Sequence, residues 1–120
     1  MKDFQGKVIF MNIWATWCPP CIAEMPDIHD LYQEMKNEDI VFVMLSVDDD
    51  LQKAIRFVDK KGFEFPVYQL AGPMPMAFES SAIPTTFVIS PEGKIVVKKS
   101  GMAKYNSKKF REYLLELKQN

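Results

Sequence analysis

The sequence predicts an α/β domain built on a mixed central sheet, with helices on both of its faces. Three observations point there. Two apolar runs rich in β-branched and aromatic residues, 7–14 and 40–47, have the near-continuous character of strands buried on both sides. Each is followed by a segment with apolar residues at helical spacing, the alternation that places parallel strands side by side through crossover helices. Late in the chain, Pro91, Glu92 and Gly93 separate two further strand-like segments, which marks an antiparallel hairpin. With 120 residues, 48% of them apolar and 26% charged, the chain has the length and balance of a single domain over 1–120.

The elements follow in order. The run KVIFMNIW is the first strand. Ile22, Met25, Ile28, Tyr32 and Met35 then recur at helical spacing, so a helix is expected over about 19–37, with Pro26 kinking it by removing one hydrogen bond. The run 40–47 is the second strand. Leu51, Ala54, Ile55 and Val58 form an amphipathic helix that opens in the acidic run Asp48, Asp49, Asp50 and stops near Gly62. Residues 65–68 read as a short strand, and Pro66 places it at the strand start or on a sheet edge. A short helix is allowed before the hairpin strands 84–90 and 94–99. Asn106 or Ser107 then caps a last helix whose Phe110, Tyr113, Leu114 and Leu117 face the core.

Charge and hydropathy exclude several classes. The formal net charge is −1 with no basic stripe, so no nucleic-acid partner is expected. No apolar run is long enough to span a bilayer. The start MKDFQ lacks the basic segment and apolar block of a secretory signal. The chain is then either cytoplasmic, or a mature or trimmed domain whose targeting segment lies outside this sequence. The loop 72–78 is rich in methionine, which more often fills gaps beneath a loop than binds a ligand. The acidic run 48–50 lacks the spacing and glycine of a calcium loop and reads as a helix start, with a place near the active-site face as the alternative.

The chemistry concentrates in WATWCPPC, which holds the chain's two cysteines, Cys18 and Cys21. A structural staple is a weak use of such a pair, because a bridge across two residues constrains the unfolded chain very little. A metal site lacks ligands: there is no second cysteine pair, and His29 lies eight residues past Cys21, about 12 Å along a helix. His29 reads instead as a packed or solvent-facing helix residue. Haem attachment needs histidine directly after the second cysteine, where this chain has Ile22. Thiol–disulfide exchange remains the favoured chemistry. It needs one attacking thiolate and one resolving thiol. Cys18, just before a helix, has its thiolate stabilised by unpaired N–H groups and the helix dipole, and Cys21 follows within the first turn. Pro19 and Pro20 suit that turn, where their missing N–H groups are not needed.

WATWCPPC after a buried strand, Pro26 five residues past the second cysteine, and IPTTF at 83–87 resemble the thioredoxin superfamily. More narrowly, GKV at 6–8, AEMP at 23–26 and IPTTFVISPEGKI resemble its TlpA/ResA-like thiol–disulfide oxidoreductases, and the resemblance covers nearly all of the chain from Phe4 onward. It implies the thioredoxin-like fold with a helix–strand insertion at about 51–69. It implies an enzyme without a cofactor beyond its redox-active Cys18–Cys21 disulfide and without a metal. Cys18 would be the nucleophile and Cys21 the resolving thiol. Glu24, three positions past Cys21, would exchange a proton with it, while the residues alone leave a buried acid and an exposed first-turn glutamate equally open. The Ile83–Pro84 bond would be cis, which sets the Ile83 backbone beside the cysteines to pair with an extended substrate, with Trp17, Pro19 and Pro20 around it. General thioredoxins resemble this segment but carry a buried aspartate where this chain has Asn12, a departure that favours the TlpA-like branch.

By the same resemblance the expected partners are disulfide-containing proteins and an upstream electron donor, and the expected protein is a monomer working in the periplasm or another extracytoplasmic compartment. Relatives often serve apocytochrome thiols in cytochrome c maturation, though no residue here identifies that client. Two alternatives stand beside this reading. One is a redox or docking module of a larger extracytoplasmic protein, which the abrupt start makes reasonable. The other is a peroxiredoxin-type peroxidase, which the sequence disfavours: Ala15 stands where that pattern has threonine, Met11 where it has proline, and Thr16 is one residue out.

Overall fold

The computed structural model describes residues 5–78 and 82–119. Residues 1–4, on which the expectation about a signal segment rests, lie outside them. The elements run β1 (Val8–Trp14), α1 (Pro19–Met35), β2 (Ile40–Ser46), α2 (Leu51–Lys61), β3 (Val67–Gln69), a 3₁₀ turn (Met76–Phe78), β4 (Thr85–Ile89), β5 (Ile95–Ser100) and α3 (Lys108–Gln119). The strand order is β3-β2-β1-β4-β5. β1 lies at the centre, all seven of its residues buried, which is why its sequence is apolar on both faces. It runs parallel to β2, with Val8 opposite Ile40 and Trp14 opposite Ser46, and antiparallel to β4, with Ile9 opposite Ile89 and Ile13 opposite Thr85. β2 and β3 are parallel, and β4 and β5 form the expected antiparallel hairpin. Pro66 precedes the short edge strand β3, where a missing donor costs no ladder bond.

The two faces of the sheet are covered unequally. Val8, Phe10 and Trp14 of β1 join Phe42, Met44 and Val88 beneath α1, α2 and α3. Phe10 meets Phe42 at 5.2 Å and Phe110 of α3 at 6.2 Å between ring centroids. Trp14 meets Phe57 of α2 at 6.1 Å. Ile9, Met11 and Ile13 point the other way, to Val43, Leu45, Phe87 and Ile89, and the side chains packed over them include Leu70, Met74, Phe78 and Ile83. The expectation of helices on both faces is corrected here: all three α-helices share one face, and the described residues of the 70–83 segment that cover the other form only the 3₁₀ turn. Gly72, Pro73 and Pro75 account for this, because they break helical hydrogen bonding at short intervals.

Helix ends follow ordinary capping chemistry. Asp50 caps α2 by accepting the Gln52 N–H at 2.9 Å, and Gly62 closes that helix at φ 78°, a left-handed position that glycine adopts without steric cost. Asp50→Ala should therefore cost about 1 kcal/mol, read as a lowered midpoint in urea unfolding. Ser107 rather than Asn106 caps α3: its hydroxyl accepts the Phe110 N–H at 3.1 Å, while Asn106 accepts from Arg111 at 2.7 Å. Among the described residues, no helix is long and apolar enough to cross a membrane.

Candidate active site

The site forms where the C-terminal end of β1 meets the N-terminus of α1. Residues 15–18 make a tight turn closed by the Cys18 N–H donating to the Ala15 carbonyl at 3.2 Å. Cys18 then takes the cap position of α1, with extended backbone, and Pro19 and Pro20 occupy the first helical positions. Its sulfur accepts the Cys21 N–H at 3.3 Å, and its carbonyl accepts the Ile22 N–H at 3.1 Å. Cys18 and Cys21 are joined by a disulfide. Cys21 is fully buried and Cys18 is 5% exposed, so of the two only Cys18 retains any contact with solvent. Trp17 beside it is 63% exposed, and Pro19 and Pro20 are exposed as well.

The late hairpin enters the site from the other side. The Ile83–Pro84 peptide bond is cis, Pro84 is buried, and the Ile83 carbonyl oxygen lies 3.9 Å from the Cys18 sulfur. Residues 65 apart in sequence are thus brought into contact.

Glu24 lies one turn past Cys21 and is 3% exposed. Its Oε1 accepts the Asn12 side-chain N–H at 2.9 Å, and its Oε2 accepts the Ala103 N–H at 3.2 Å. Burial pushes its carboxyl above the usual range; the hydrogen bonds from Asn12 and Ala103 oppose that, and the Asp27 carboxylate adds to it. Asn12 also donates to the Thr86 hydroxyl at 2.8 Å, directly across the β1–β4 ladder, and its own Oδ1 is buried without a hydrogen-bond partner among the described residues. Asp27 accepts the Tyr105 N–H at 2.6 Å, which fastens the 103–107 loop to α1. A hollow of about 280 Å³ lined by Ala23, Glu24, Asp27, Met102, Ala103 and Lys104 lets solvent approach this carboxyl pair.

The structure brings Cys18, Cys21, Trp17, Pro19, Pro20, Ile83 and Pro84 into one region, and it sets Glu24 behind them in the same helix. His29 sits apart, at ring-centroid distances of 5.2 Å from Phe63 and 5.9 Å from Phe65, with Gln33 at 3.0 Å. No cluster of metal-ligating side chains occurs among the described residues. The sequence reading left one site residue undistinguished within the acidic run. Within the acidic run only Asp50 caps α2; Asp48 is buried and accepts both the backbone N–H and the hydroxyl of Thr16, at 3.0 and 2.6 Å. Nothing in three consecutive aspartates separates the first from the third, because the distinguishing partner lies 32 residues away.

Known proteins resemble this chain in sequence and in fold. A family model described as Redoxin matches residues 1–114. The thiol-disulfide oxidoreductase ResA of Oceanobacillus iheyensis is 38% identical over 96 residues, which cover 79% of this chain and 50% of that protein. ResA of Bacillus thuringiensis subsp. konkukian is 31% identical over 118 residues, 98% of this chain and 67% of that one. The chain thus spans about half to two thirds of the length of these relatives. A thiol:disulfide interchange protein of the thioredoxin family from Chlorobium tepidum TLS superposes with a TM-score of 0.79 at 26% identity, over 99% of this chain and 84% of that structure.

Proposed function

The chain belongs to the Redoxin family and has ResA-like relatives, and from that premise we propose that it reduces disulfides in protein partners through a Cys18–Cys21 dithiol/disulfide cycle. The observation that carries the reading is the cysteine pair at the N-terminus of α1, with Cys18 at the cap position beside the Ile83 carbonyl and Cys21 fully buried behind it. In the reduced protein the Cys18 thiolate, stabilised by the Cys21 N–H and the helix N-terminus, attacks one sulfur of a substrate disulfide. That S–S bond breaks, the departing substrate thiolate takes a proton, and a mixed disulfide forms. Cys21 then attacks the Cys18 sulfur, releasing the second substrate thiol. The substrate gains two electrons and the protein loses two, so a dithiol donor must restore the Cys18–Cys21 thiols.

Glu24 serves as the base that accepts the Cys21 proton, since burial pushes its carboxyl above the usual range and makes it a stronger proton acceptor than an exposed glutamate. The Ile83 backbone, with Trp17, Pro19 and Pro20, receives the extended segment that carries the substrate disulfide. Main-chain pairing of that kind tolerates many sequences, which suits more than one client. We place the working protein outside the cytoplasm, as the ResA likeness suggests, with thiols of apocytochromes among the clients to test and residues 51–69 as the insertion of this branch. A pure docking module would have no use for a paired-cysteine site backed by a buried carboxyl.

The first test is the exchange equilibrium of the pair against glutathione or dithiothreitol. A potential near −270 mV, about that of thioredoxin, supports a reductant. A value near −120 mV, about that of DsbA, reverses the direction to disulfide formation. No reversible transition at all removes the exchange reading.

A further inference from the structure

The turn that presents Cys18 is held from outside by Asp48. Thr16 and Trp17 form its two corners, and Thr16 gives both its N–H and its hydroxyl to the Asp48 carboxylate. The Ser46 hydroxyl donates to the same carboxylate at 2.7 Å and accepts the Asp48 N–H at 3.0 Å. One residue away, the Val47 N–H donates to the Trp14 carbonyl at 2.9 Å. Gln69, the last residue of β3, donates to the Asp48 carbonyl at 3.2 Å and the Asp49 carbonyl at 3.4 Å, so the strand of the 51–69 segment steadies Asp48 in turn. Burial raises the Asp48 carboxyl, but the hydrogen bonds from Thr16 and Ser46 outweigh it and hold the group below the usual carboxylate range. The clamp is therefore charge-assisted.

We propose that Asp48, acting through Thr16, is a positioning residue for disulfide exchange: it fixes the 15–18 turn so that the Cys18 sulfur stays within reach of Cys21 when the bond between them is open. This rests on the reading of the pair as an exchanging couple. In the oxidised protein the S–S bond itself fixes Cys18. In the reduced protein the turn and the Cys21 N–H must do so. A restraint already present before the bond closes removes ordering cost from closure and raises the effective concentration of one thiol toward the other. Losing it shifts the balance toward the open dithiol. A contact that served the fold alone would change the unfolding midpoint and leave that balance where it was.

The experiment equilibrates the protein with mixtures of reduced and oxidised dithiothreitol and counts free thiols by alkylation and mass. Closure oxidises two protein thiols to a disulfide and reduces one dithiothreitol disulfide to its dithiol, so the constant needs no other reactant. Thr16→Val removes one hydrogen bond and keeps the carboxylate and its charge; it should move the constant about three- to ten-fold toward the dithiol, in the lower part of the range for coupled neighbours. Asp48→Asn, which leaves one acceptor and turns an amide N–H2 toward a donor, should move it further the same way. Asp50→Ala loses a helix cap of comparable stability in the same acidic run and should leave the constant within about two-fold of wild type. The proposal is overturned if Thr16→Val and Asp48→Asn lower the unfolding midpoint yet leave the constant with wild type. A wild-type pair that fails to cycle sinks the exchange reading itself, and this proposal with it, and is distinguished by the absence of any transition before a variant is made.

Discussion

Replacing Cys18 by serine should reduce disulfide reductase turnover by at least about three orders of magnitude, measured by insulin reduction with dithiothreitol as donor. A serine hydroxyl is far more weakly acidic than a thiol at a helix N-terminus, and it cannot form a disulfide with substrate at all. The complementary variant gives a different outcome. Cys21→Ser keeps the attacking sulfur and loses the resolving one, so it should attack substrate once and stop as a covalent adduct, visible as added mass that dithiothreitol removes. That asymmetry follows from burial: Cys18 retains an edge at the surface and Cys21 has none. Both variants should remain folded, because closing a loop across two residues contributes less than about 2 kcal/mol. Equal adduct formation by the two single variants would contradict the assigned order of attack.

Much of this architecture was legible in the sequence, for reasons that can be named. β1 and β2 declared themselves because a strand covered on both faces has no room for alternation, and α2 because Asp50 and Gly62 mark its ends with capping chemistry. The cysteine pair was legible because its spacing makes other uses chemically poor. What stayed hidden depends on the fold bringing distant groups together. Asn12 meets Thr86 only through the β1–β4 register, and Glu24 is buried partly because the 103–107 loop folds over it, pinned by Asp27. Asp48 is distinguishable from its two acidic neighbours only by what Thr16 does with it. The one-sided placement of the helices was missed because α2, read as part of an alternating α/β pattern, packs through Phe57 onto Trp14 beside α1 rather than across the sheet.

Glu24→Gln should slow turnover about 100-fold near neutral pH, a common size for loss of a positioned base. The slow step should be resolution, so the mixed disulfide with substrate should accumulate before product appears. The pH profile separates this role from a structural one. In the wild type the base form is needed, so the rate should climb through a carboxyl value lying above the ordinary range, and that limb should vanish in the variant. Stability should run the other way. Because burial favours the protonated acid, the folded protein holds this proton more tightly than the unfolded chain, whose glutamate titrates near about 4.3. Wild-type stability from Glu24 is therefore complete below that value and declines as pH rises through the folded one. Glutamine does not titrate. It does, however, present an N–H2 group to either the Asn12 or the Ala103 donor, a mismatch costing about 1–3 kcal/mol at every pH. The variant's stability deficit in urea unfolding should thus be largest in acid and narrow toward neutral pH. A deficit constant across that range would mean that Glu24 titrates as it does in the unfolded chain, and the case for it as the base of the resolving step would go with it.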